Sequence, residues 1–236
     1  MRLVRLDKLL CESRGVSRET ARQMIRAGRV QVDGLALKRP ETKLNPAAHT
    51  VLVDGEALSW AAQRYYLLHK PLGVVTATED AHEKTVLDLF PPELRRGLTP
   101  AGRLDKDTSG LLLLSTDGDW VHRVISPRHA VEKVYLAETD RALTPEDAAA
   151  LSAGVVLRDG TACRPAKLEL LEGCRCRVTV TEGKYHLVRR LLASRGAKVV
   201  RLHRERIGSL RLDDSLPPGA FRPLTEAEIE AALINR

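Results

Sequence analysis

The sequence is poor in aromatic residues and in cysteine. Phe, Tyr and Trp make up 3% of the 236 residues, so we expect a core built mainly from Leu, Val, Ala and Ile. The four cysteines, Cys11, Cys163, Cys174 and Cys176, match neither a paired C-x-x-C zinc site nor a regular disulfide framework. Cys174 and Cys176 would share one side of a strand, which is a weak metal signal without nearby histidines. We therefore expect reduced thiols in a cytoplasmic protein and no metal centre.

Long apolar runs and the common cofactor motifs are also missing. The clean apolar run Leu111–Leu114 is far shorter than the ~20 residues that a membrane helix needs, so we expect no membrane partner. The first eight residues, MRLVRLDK, interrupt the apolar steps with charge, and we expect no secretory signal. No G-x-G-x-x-G follows a predicted strand, and neither G-x-x-x-x-G-K-[ST] nor H-E-x-x-H occurs. These absences weaken the case for a nicotinamide, S-adenosylmethionine, nucleoside triphosphate or zinc site.

Negative charge is the scarcer sign in this chain. Lys and Arg number 38 against 31 Asp and Glu, and the net charge of +7 makes a polyanionic partner plausible. Residues 1–60 contain 11 of the basic and 7 of the acidic residues, and so more than half of the excess. The N-terminal quarter of the chain is therefore the more strongly basic part.

Residues 1–60 predict a small domain of two helices and two hairpins. Leu6, Leu9 and Leu10 are apolar and lie at helical spacing, and Gly15 ends the first helix. Ser17 is a typical N-cap for a second helix that runs to Ala27. Short alternating segments flank Asp33-Gly34 and again Asp54-Gly55, which is a strong hairpin signal. We place the domain boundary after residue 60.

Arginines recur along one face of the second predicted helix. Arg18, Arg22 and Arg26 lie at i, i+4 and i+8, and they repel one another unless a partner neutralises them. The face is either simply solvated or follows the phosphates of a nucleic acid. The local excess of positive charge favours the second interpretation.

Residues 61–236 predict a larger domain of mixed structure. Its strands cluster without a regular β-α alternation, so we expect an α+β fold with a mainly antiparallel sheet rather than a doubly wound one. The predicted strands lie at 65–69, 74–77, 111–115, 134–138, 168–171, 177–181 and 199–202, and the predicted helices at 85–90, 120–125, 145–152, 186–195 and 226–234.

Two polar segments of this domain are candidates for chemistry. The first, AGRLDKDTSG at 101–110, leads into the apolar run 111–114, and a reachable loop before a rigid strand suits a reactive group. On spacing alone, Asp105 and Asp107 are more readily explained as turn-capping or ion-paired residues. The second segment, 184–206, has eight Lys or Arg residues and one acidic residue. It is either a solvated basic face or a phosphate groove with a cation beside a catalytic carboxylate.

Several N-terminal segments resemble the small S-four-like RNA-binding domain, named after a ribosomal protein. They are RLDKLL at 5–10, VSR at 16–18, IRAGRV at 25–30 and VDG at 32–34. In that family the second helix and the following turn meet structured RNA. The resemblance implies an RNA partner without naming a reaction. It assigns backbone contacts to Arg18, Arg22, Arg26 and Arg29.

Six segments of the larger domain resemble the RsuA family of bacterial ribosomal RNA pseudouridine synthases. They are LHKPLG at 68–73, GRLDKDTSGLL at 102–112, SPRH at 126–129, EKVY at 132–135, EGKYH at 182–186 and HRERIG at 203–208. Together with the N-terminal domain, the resemblance covers nearly the whole chain in order. It implies a cofactor-free isomerisation of uridine to pseudouridine in a flipped-out nucleotide.

The resemblance also implies roles for individual residues. Asp105 would be the nucleophilic carboxylate, Tyr135 would stack on the uracil, and Arg189 would pair with Asp105 and orient it. Ile207 would form an apolar wall of the uracil pocket, and Arg103 would reach into the RNA. Residues of second rank for RNA or structural contact are Lys70, Lys133, Arg190 and Arg206.

The sequence favours the small-subunit branch of this family. Tyr185-His186 after the EGK of 182–184 is typical of that branch, and the chain ends at Arg236 without a long basic tail. Leu187 replaces the usual Gln, however, and Arg189-Arg190 also suits large-subunit relatives. We therefore expect an enzyme acting on 16S rRNA or a small-subunit assembly intermediate. The alternatives are a 23S rRNA synthase, a non-catalytic ribosome-assembly protein and an RNA methyltransferase. A monomer is the default expectation, for which the sequence offers no evidence either way.

Overall fold

The computed structural model describes residues 3–46, 48–58 and 63–235 of the chain. The chain divides into two compact units, Met1–Ala62 and Gln63–Arg236. This division lies two residues beyond the boundary predicted after residue 60, which falls outside the described residues. Each unit has its own apolar core, and each is described separately below. No helix in the described part of the chain is long and apolar enough to cross a membrane.

The N-terminal unit contains the two predicted helices, α1 at Leu6–Arg14 and α2 at Arg18–Arg26. Gly15 ends α1 in the left-handed conformation, with φ of 67°, and the hydroxyl of Ser17 accepts a hydrogen bond from the Thr20 N–H at the start of α2. The strands are β1 Val4–Arg5, β2 Val30–Val32, β3 Leu35–Ala36, β4 Lys43–Leu44, β5 Val51–Val53 and β6 Glu56–Ala57.

Both predicted hairpins form in this unit. Strands β2 and β3 meet at Asp33-Gly34, β5 and β6 meet at Asp54-Gly55, and the four strands make one antiparallel sheet of order β3-β2-β5-β6. All four turn residues have positive φ, which explains why Asp-Gly stands at both turns. Leu6, Leu9, Leu10, Ala21 and Ile25 pack the helices onto this sheet and are fully buried.

The larger unit is an α+β domain around a nine-stranded sheet, as the sequence predicts. The path through the sheet is β13-β14-β10-β15-β9-β7-β17, with β16 beside β15 and β8 beside β9. Every pairing is antiparallel except that of β15 with β9. The strands are β7 Tyr65–Lys70, β8 Thr99–Pro100, β9 Ser109–Ser115, β10 Lys133–Thr139, β11 Val155–Val156, β12 Ala162–Cys163, β13 Lys167–Leu170, β14 Arg175–Val180, β15 Val199–Ile207, β16 Leu210–Arg211 and β17 Phe221–Pro223.

Helices cover both faces of this sheet's core. Buried residues of α6 pack with β14 and β15 in one cluster, and Trp120, Val121 and Val124 of α4 pack with β7 and β9 in another. The helices are α3 Pro92–Arg95, α4 Gly118–Ile125, α5 Pro145–Ser152, α6 Leu187–Ser194 and α7 Glu226–Ala231, with a 3-10 helix at Val86–Leu89.

One predicted strand is wrong. Residues 74–77 lie outside the sheet, and Val75 forms only an isolated bridge with Thr85. The hydroxyl of Thr76 instead donates to the Leu104 carbonyl at 2.7 Å and accepts from the Leu104 N–H at 3.1 Å. This segment therefore supports a neighbouring loop rather than extending the sheet.

Other elements differ from the predictions in kind or length. The helix predicted at 85–90 is a 3-10 helix, which a capping box between Thr85 and Asp88 begins. The strand predicted at 199–202 continues to Ile207, and the helix predicted at 226–234 ends at Ala231. Helix α6 begins one residue later than predicted, because His186 is its N-cap in the left-handed conformation.

Gly110 lets β9 and β15 approach each other where the sheet turns parallel. It pairs with Arg204 and has a φ of 112°. A Cβ at this position would lie 2.3 Å from the carbonyl oxygen of Arg204, which no side chain can tolerate. The glycine therefore fixes the start of β9, and with it the end of the preceding polar loop, against β15.

Candidate active site

A buried lysine fixes the polar loop at residues 101–108, here called the Asp105 loop. Lys70, at the end of β7, is 0% exposed, and its ammonium group donates to the backbone carbonyls of Pro71, Asp105 and Thr108 at 2.9–3.0 Å. Burial lowers the pKa of Lys70 to about 8. Three charge-assisted bonds to one ammonium group hold both ends of the turn that carries Asp105.

Further backbone contacts complete the support of the Asp105 loop. The Thr108 N–H donates to the Asp105 carbonyl at 3.0 Å, and the Gly73 N–H donates to the Lys106 carbonyl at 2.8 Å. Together with the bonds of Thr76 to Leu104, they restrain the residues on either side of Asp105. The backbone that carries the Asp105 carboxylate is therefore held by bonds that do not use the carboxylate itself.

The Asp105 side chain lies at the edge of a cavity of about 570 Å³. It is 28% exposed, and its Oδ1 atom lies 3.5 Å from Nε2 of His186. The lining of the cavity includes Arg103, Lys133, Tyr135 and Arg204 as well as Asp105. A reachable carboxylate thus faces a space that aromatic and cationic side chains also line.

Glu182 is the other carboxylate that lines this cavity. Its side chain is 9% exposed and pairs with Lys184 at 2.9 Å, and it also accepts the backbone N–H of Arg164 at 2.9 Å. These contacts commit Glu182 to holding local structure. Asp105 is therefore the better candidate for a reacting group in this space.

Arg204 is a residue that the sequence reasoning missed. It is 3% exposed, its Nε donates to the Leu111 carbonyl at 2.7 Å, and its Nη1 donates to the Tyr135 hydroxyl at 3.3 Å. Its guanidinium carbon also lies 5.8 Å from the centre of the Tyr135 ring. Nη2 is buried without a hydrogen-bond partner among the described residues. Arg204 therefore holds Tyr135 and retains a donor beside the cavity; its place in the HRERIG segment was the available signal.

The predicted pairing of Arg189 with Asp105 is wrong. Nη2 of Arg189 lies 2.8 Å from Oδ2 of Asp107, and it also donates to the Asp107 carbonyl at 3.1 Å. Nη1 reaches the Val199 carbonyl at 3.4 Å. The turn at residues 106–107 directs the second aspartate toward α6, and spacing alone could not say which of the two carboxylates faces the arginine.

The predicted place of Ile207 in the pocket wall is also corrected. Ile207 is fully buried in the cluster that contains Val121 and Val124 of α4, and it is not among the residues that line the cavity. It pairs with Lys133 in the sheet, beyond a register shift between Val134 and Tyr135. The apolar residues that do line the cavity include Leu104, Val180, Leu187, Val188 and Leu202.

The remaining cationic residues that the resemblance suggested for RNA or structural contact have mostly structural contacts. Lys133 lines the cavity, but its ammonium donates to the carbonyls of Val124 and Val131 at 3.2 and 2.7 Å, and burial lowers its pKa to about 8. Arg206 pairs with Glu132 at 2.8 Å. Arg190 pairs with Asp159, and neither Arg190 nor Arg206 lines the cavity.

The candidate RNA-binding arginines of the N-terminal unit fall into two pairs. Arg18 and Arg26 are exposed, and within the described residues neither has an ion pair or side-chain hydrogen bond. Arg22 lies 3.4 Å from the buried carboxylate of Asp7, and Arg29 pairs with Asp54 at 2.6 Å. The first pair is therefore available to an external anion, whereas the second pair is already engaged.

Comparison with known proteins gives consistent matches over both units. The model of the RNA pseudouridylate synthase family matches residues 64–194, and the model of the S4 domain matches residues 4–48. Two curated relatives are both called ribosomal small subunit pseudouridine synthase A. The one from Salmonella typhimurium is 44% identical over 96% of this chain and 98% of its own length, and that from Escherichia coli is 43% identical over 98% and 100%. A crystal structure of a pseudouridylate synthase is 39% identical, with a TM-score of 0.71 over 97% of this chain and 99% of its own.

The two pairs of arginines predict different effects on RNA binding. We expect Arg18→Ala with Arg26→Ala to reduce the slope of log affinity against log salt by about 1.5, since each lost phosphate contact removes about 0.7–0.9. The matched variant, Arg22→Ala with Arg29→Ala, removes the same charge and should change the slope less. Filter binding to structured ribosomal RNA over a salt series measures both, and equal slopes for the two variants would contradict this assignment.

The lowered pKa of Lys70 predicts a pH dependence of stability. Between about pH 8 and its ordinary pKa of 10.5, the unfolded chain binds more protons at this lysine than the folded one. The free energy of unfolding should therefore gain up to about 1.4 kcal/mol per pH unit in this range from Lys70, a contribution absent in Lys70→Met. Urea unfolding should show that the wild-type protein exceeds Lys70→Met in free energy of unfolding by more at about pH 9.5 than at about pH 7.5.

A buried neighbour on the same strand provides the control. Leu68→Met exchanges one non-titrating core side chain for another on β7. Its free energy of unfolding should therefore differ from that of the wild-type protein by the same amount over this pH range. If the difference in free energy of unfolding between the wild-type protein and Lys70→Met becomes smaller as the pH rises, the lowered pKa of Lys70 is contradicted.

Proposed function

The chain belongs to the RNA pseudouridylate synthase family, and we propose that it isomerises a uridine of small-subunit ribosomal RNA to pseudouridine with Asp105 as the essential carboxylate. The observation that carries this proposal is the reachable Asp105 side chain at the edge of a cavity that Tyr135 also lines. The names of the two relatives, with Tyr185-His186 after the EGK of 182–184, support the small-subunit substrate.

The reaction breaks one glycosidic bond and makes another. The bond from the ribose anomeric carbon to N1 of uracil breaks, the base turns, and the anomeric carbon bonds to C5 instead. C5 loses its proton to the medium, and N1 gains one, so atoms and electrons balance without a redox partner or group donor. An aspartate oxygen can serve by attacking the anomeric carbon, by attacking C6 of the base, or by removing a ribose proton. All three routes need an ionised carboxylate that the flipped nucleotide can reach.

Tyr135 and Arg204 supply the environment of the base. The phenol ring gives the uracil a stacking surface inside the cavity, and Arg204 holds the ring through its hydroxyl. Nη2 of Arg204 has no hydrogen-bond partner among the described residues. Arg204 therefore keeps a second N–H donor besides the one that bonds the Tyr135 hydroxyl. Lys133 adds a second buried cation to the same space.

Arg103 and Arg189 act around the reacting carboxylate. Arg103 is exposed where the Asp105 loop meets the cavity, a suitable place to occupy the gap left by a flipped base. Arg189 fastens the loop to α6 through Asp107 and so positions Asp105 indirectly. Flipping the base costs a few kcal/mol, and contacts of the cationic side chains with RNA phosphates offset that cost.

Replacing Asp105 tests the proposal against a close neighbour. Asp105→Asn should reduce turnover on the order of a thousandfold or more, because an amide oxygen is a poor nucleophile and base, while RNA affinity stays nearly unchanged. Asp107→Asn is the matched control: it keeps the backbone acceptor for Arg189 and should cost less than about tenfold. Unmodified 16S rRNA bound to a subset of ribosomal proteins is incubated with each variant, and carbodiimide labelling with primer extension maps pseudouridine.

The position of the primer-extension stop separates the alternatives. A new stop in 16S rRNA that is absent with Asp105→Asn supports the proposal. A stop on 23S rRNA alone keeps the reaction and moves the substrate to the large subunit, as Arg189-Arg190 would suit. Normal RNA binding without any stop would support a non-catalytic assembly protein, and turnover of Asp105→Asn near that of the unvaried protein would remove Asp105 from its role.

A further inference from the structure

Tyr185 is an exposed aromatic residue in a chain that has few of them. It leaves 71% of its surface exposed, whereas the other Phe, Tyr and Trp side chains in the described part of the chain are buried or half-buried. It also belongs to the lining of the cavity that contains Asp105. An exposed ring at this place is not explained by the packing of the core.

The ring of Tyr185 is held in a defined orientation. It stacks on the imidazole of His186 with 3.8 Å between ring centres and 17° between planes. Nε2 of the same imidazole lies 3.5 Å from Oδ1 of Asp105. His186 thus contacts Asp105 through its edge and Tyr185 through its face.

The backbone at this point supports the stack. His186 is in the left-handed conformation with φ of 47°, which a non-glycine residue adopts at an energetic cost. The Tyr185 carbonyl accepts a hydrogen bond from Nη1 of Arg190 at 3.3 Å, while Nη2 of that arginine is engaged by Asp159. Arg190, which does not line the cavity, therefore helps to fix the backbone of the residue that does.

We propose that the free face of Tyr185 stacks a nucleobase next to the target uridine, forming a second base subsite beside the cavity. The inference rests on the proposed function and deepens it. The target base must reach Asp105, whereas a base on Tyr185 would be separated from the carboxylate by the Tyr185 and His186 rings. Unpaired RNA bases stack readily on exposed aromatic rings, and such stacking tolerates any base.

The stack predicts a loss of RNA affinity that depends on one nucleotide. Tyr185→Ala should weaken binding roughly five- to hundredfold, the range found for removing one base–aromatic stack. Tyr185→Phe keeps the ring and should stay within about twofold, whereas Tyr185→Leu, of similar bulk without a π-system, should resemble Ala. Val156→Ala, at an exposed apolar residue outside the cavity lining, is the surface control and should not change affinity.

An abasic scan of the RNA identifies the partner of Tyr185. A small-subunit ribosomal RNA fragment retained by Asp105→Asn is synthesised with single abasic sites through the bound region, and filter binding is measured with Tyr185 intact or replaced by Ala in that background. At one nucleotide, loss of the base should weaken binding as much as Tyr185→Ala does, and combining the two changes should cost little more than either alone. At every other nucleotide of the fragment, the fold-loss of affinity from the abasic site and that from Tyr185→Ala should multiply.

Two results would overturn the subsite. One is an affinity of Tyr185→Ala within twofold of the unvaried protein on intact RNA. The other is multiplication of the two losses at every nucleotide, because Tyr185 would then act only through His186 and α6. In the otherwise unvaried enzyme, Tyr185→Ala should raise KM and leave kcat within about threefold, which a damaged active site would not do. The binding assay needs no turnover, so a chain that binds without converting uridine fails the proposed function and still tests the stack.

Discussion

The bonds from the buried ammonium group of Lys70 to three backbone carbonyls hold the loop that presents the Asp105 carboxylate. Without them, the carbonyls of Pro71, Asp105 and Thr108 would be left without this donor in a dry interior, and the turn between β8 and β9 would lose three of its restraints. The close contact of Gly110 with β15 fixes the other end of the same loop. The site thus depends on restraints that come from the sheet, and they leave the Asp105 side chain partly exposed.

Three buried cationic side chains lie close together beside the cavity, and burial and repulsion disfavour the charged forms of the two lysines among them. Lys70, Lys133 and Arg204 are all buried, and the charge of Arg204 adds to burial in lowering the pKa of both lysines. Each side chain is nevertheless held by backbone carbonyls, so the charges are fixed in place rather than free to move away. A substrate that brings negative charge into this space relieves part of the repulsion, and RNA phosphate groups have that property.

The sequence predicted most of the elements, but not the geometry of the side chains around Asp105. Hairpin turns and helix caps depend on local residues, so the Asp-Gly turns and the Ser17 cap could be read directly. Asp105 came from the resemblance, since its spacing alone favoured a structural role. The partner of Arg189 and the burial of Ile207 depend on how α6 and α4 pack across the sheet, which no local pattern encodes. Residues 74–77 were predicted as a strand, but the bonds of Thr76 to Leu104 hold them against the Asp105 loop outside the sheet.

The most direct test of the account follows the hydrogen that the reaction must release. Unmodified 16S rRNA that carries tritium at C5 of its uridines and is bound to a subset of ribosomal proteins is incubated with the purified protein, without any added cofactor. Since the new carbon–carbon bond replaces the C5 hydrogen, tritium should appear in water in proportion to the pseudouridine formed. Absence of tritium release, or release only after S-adenosylmethionine is added, would contradict the account.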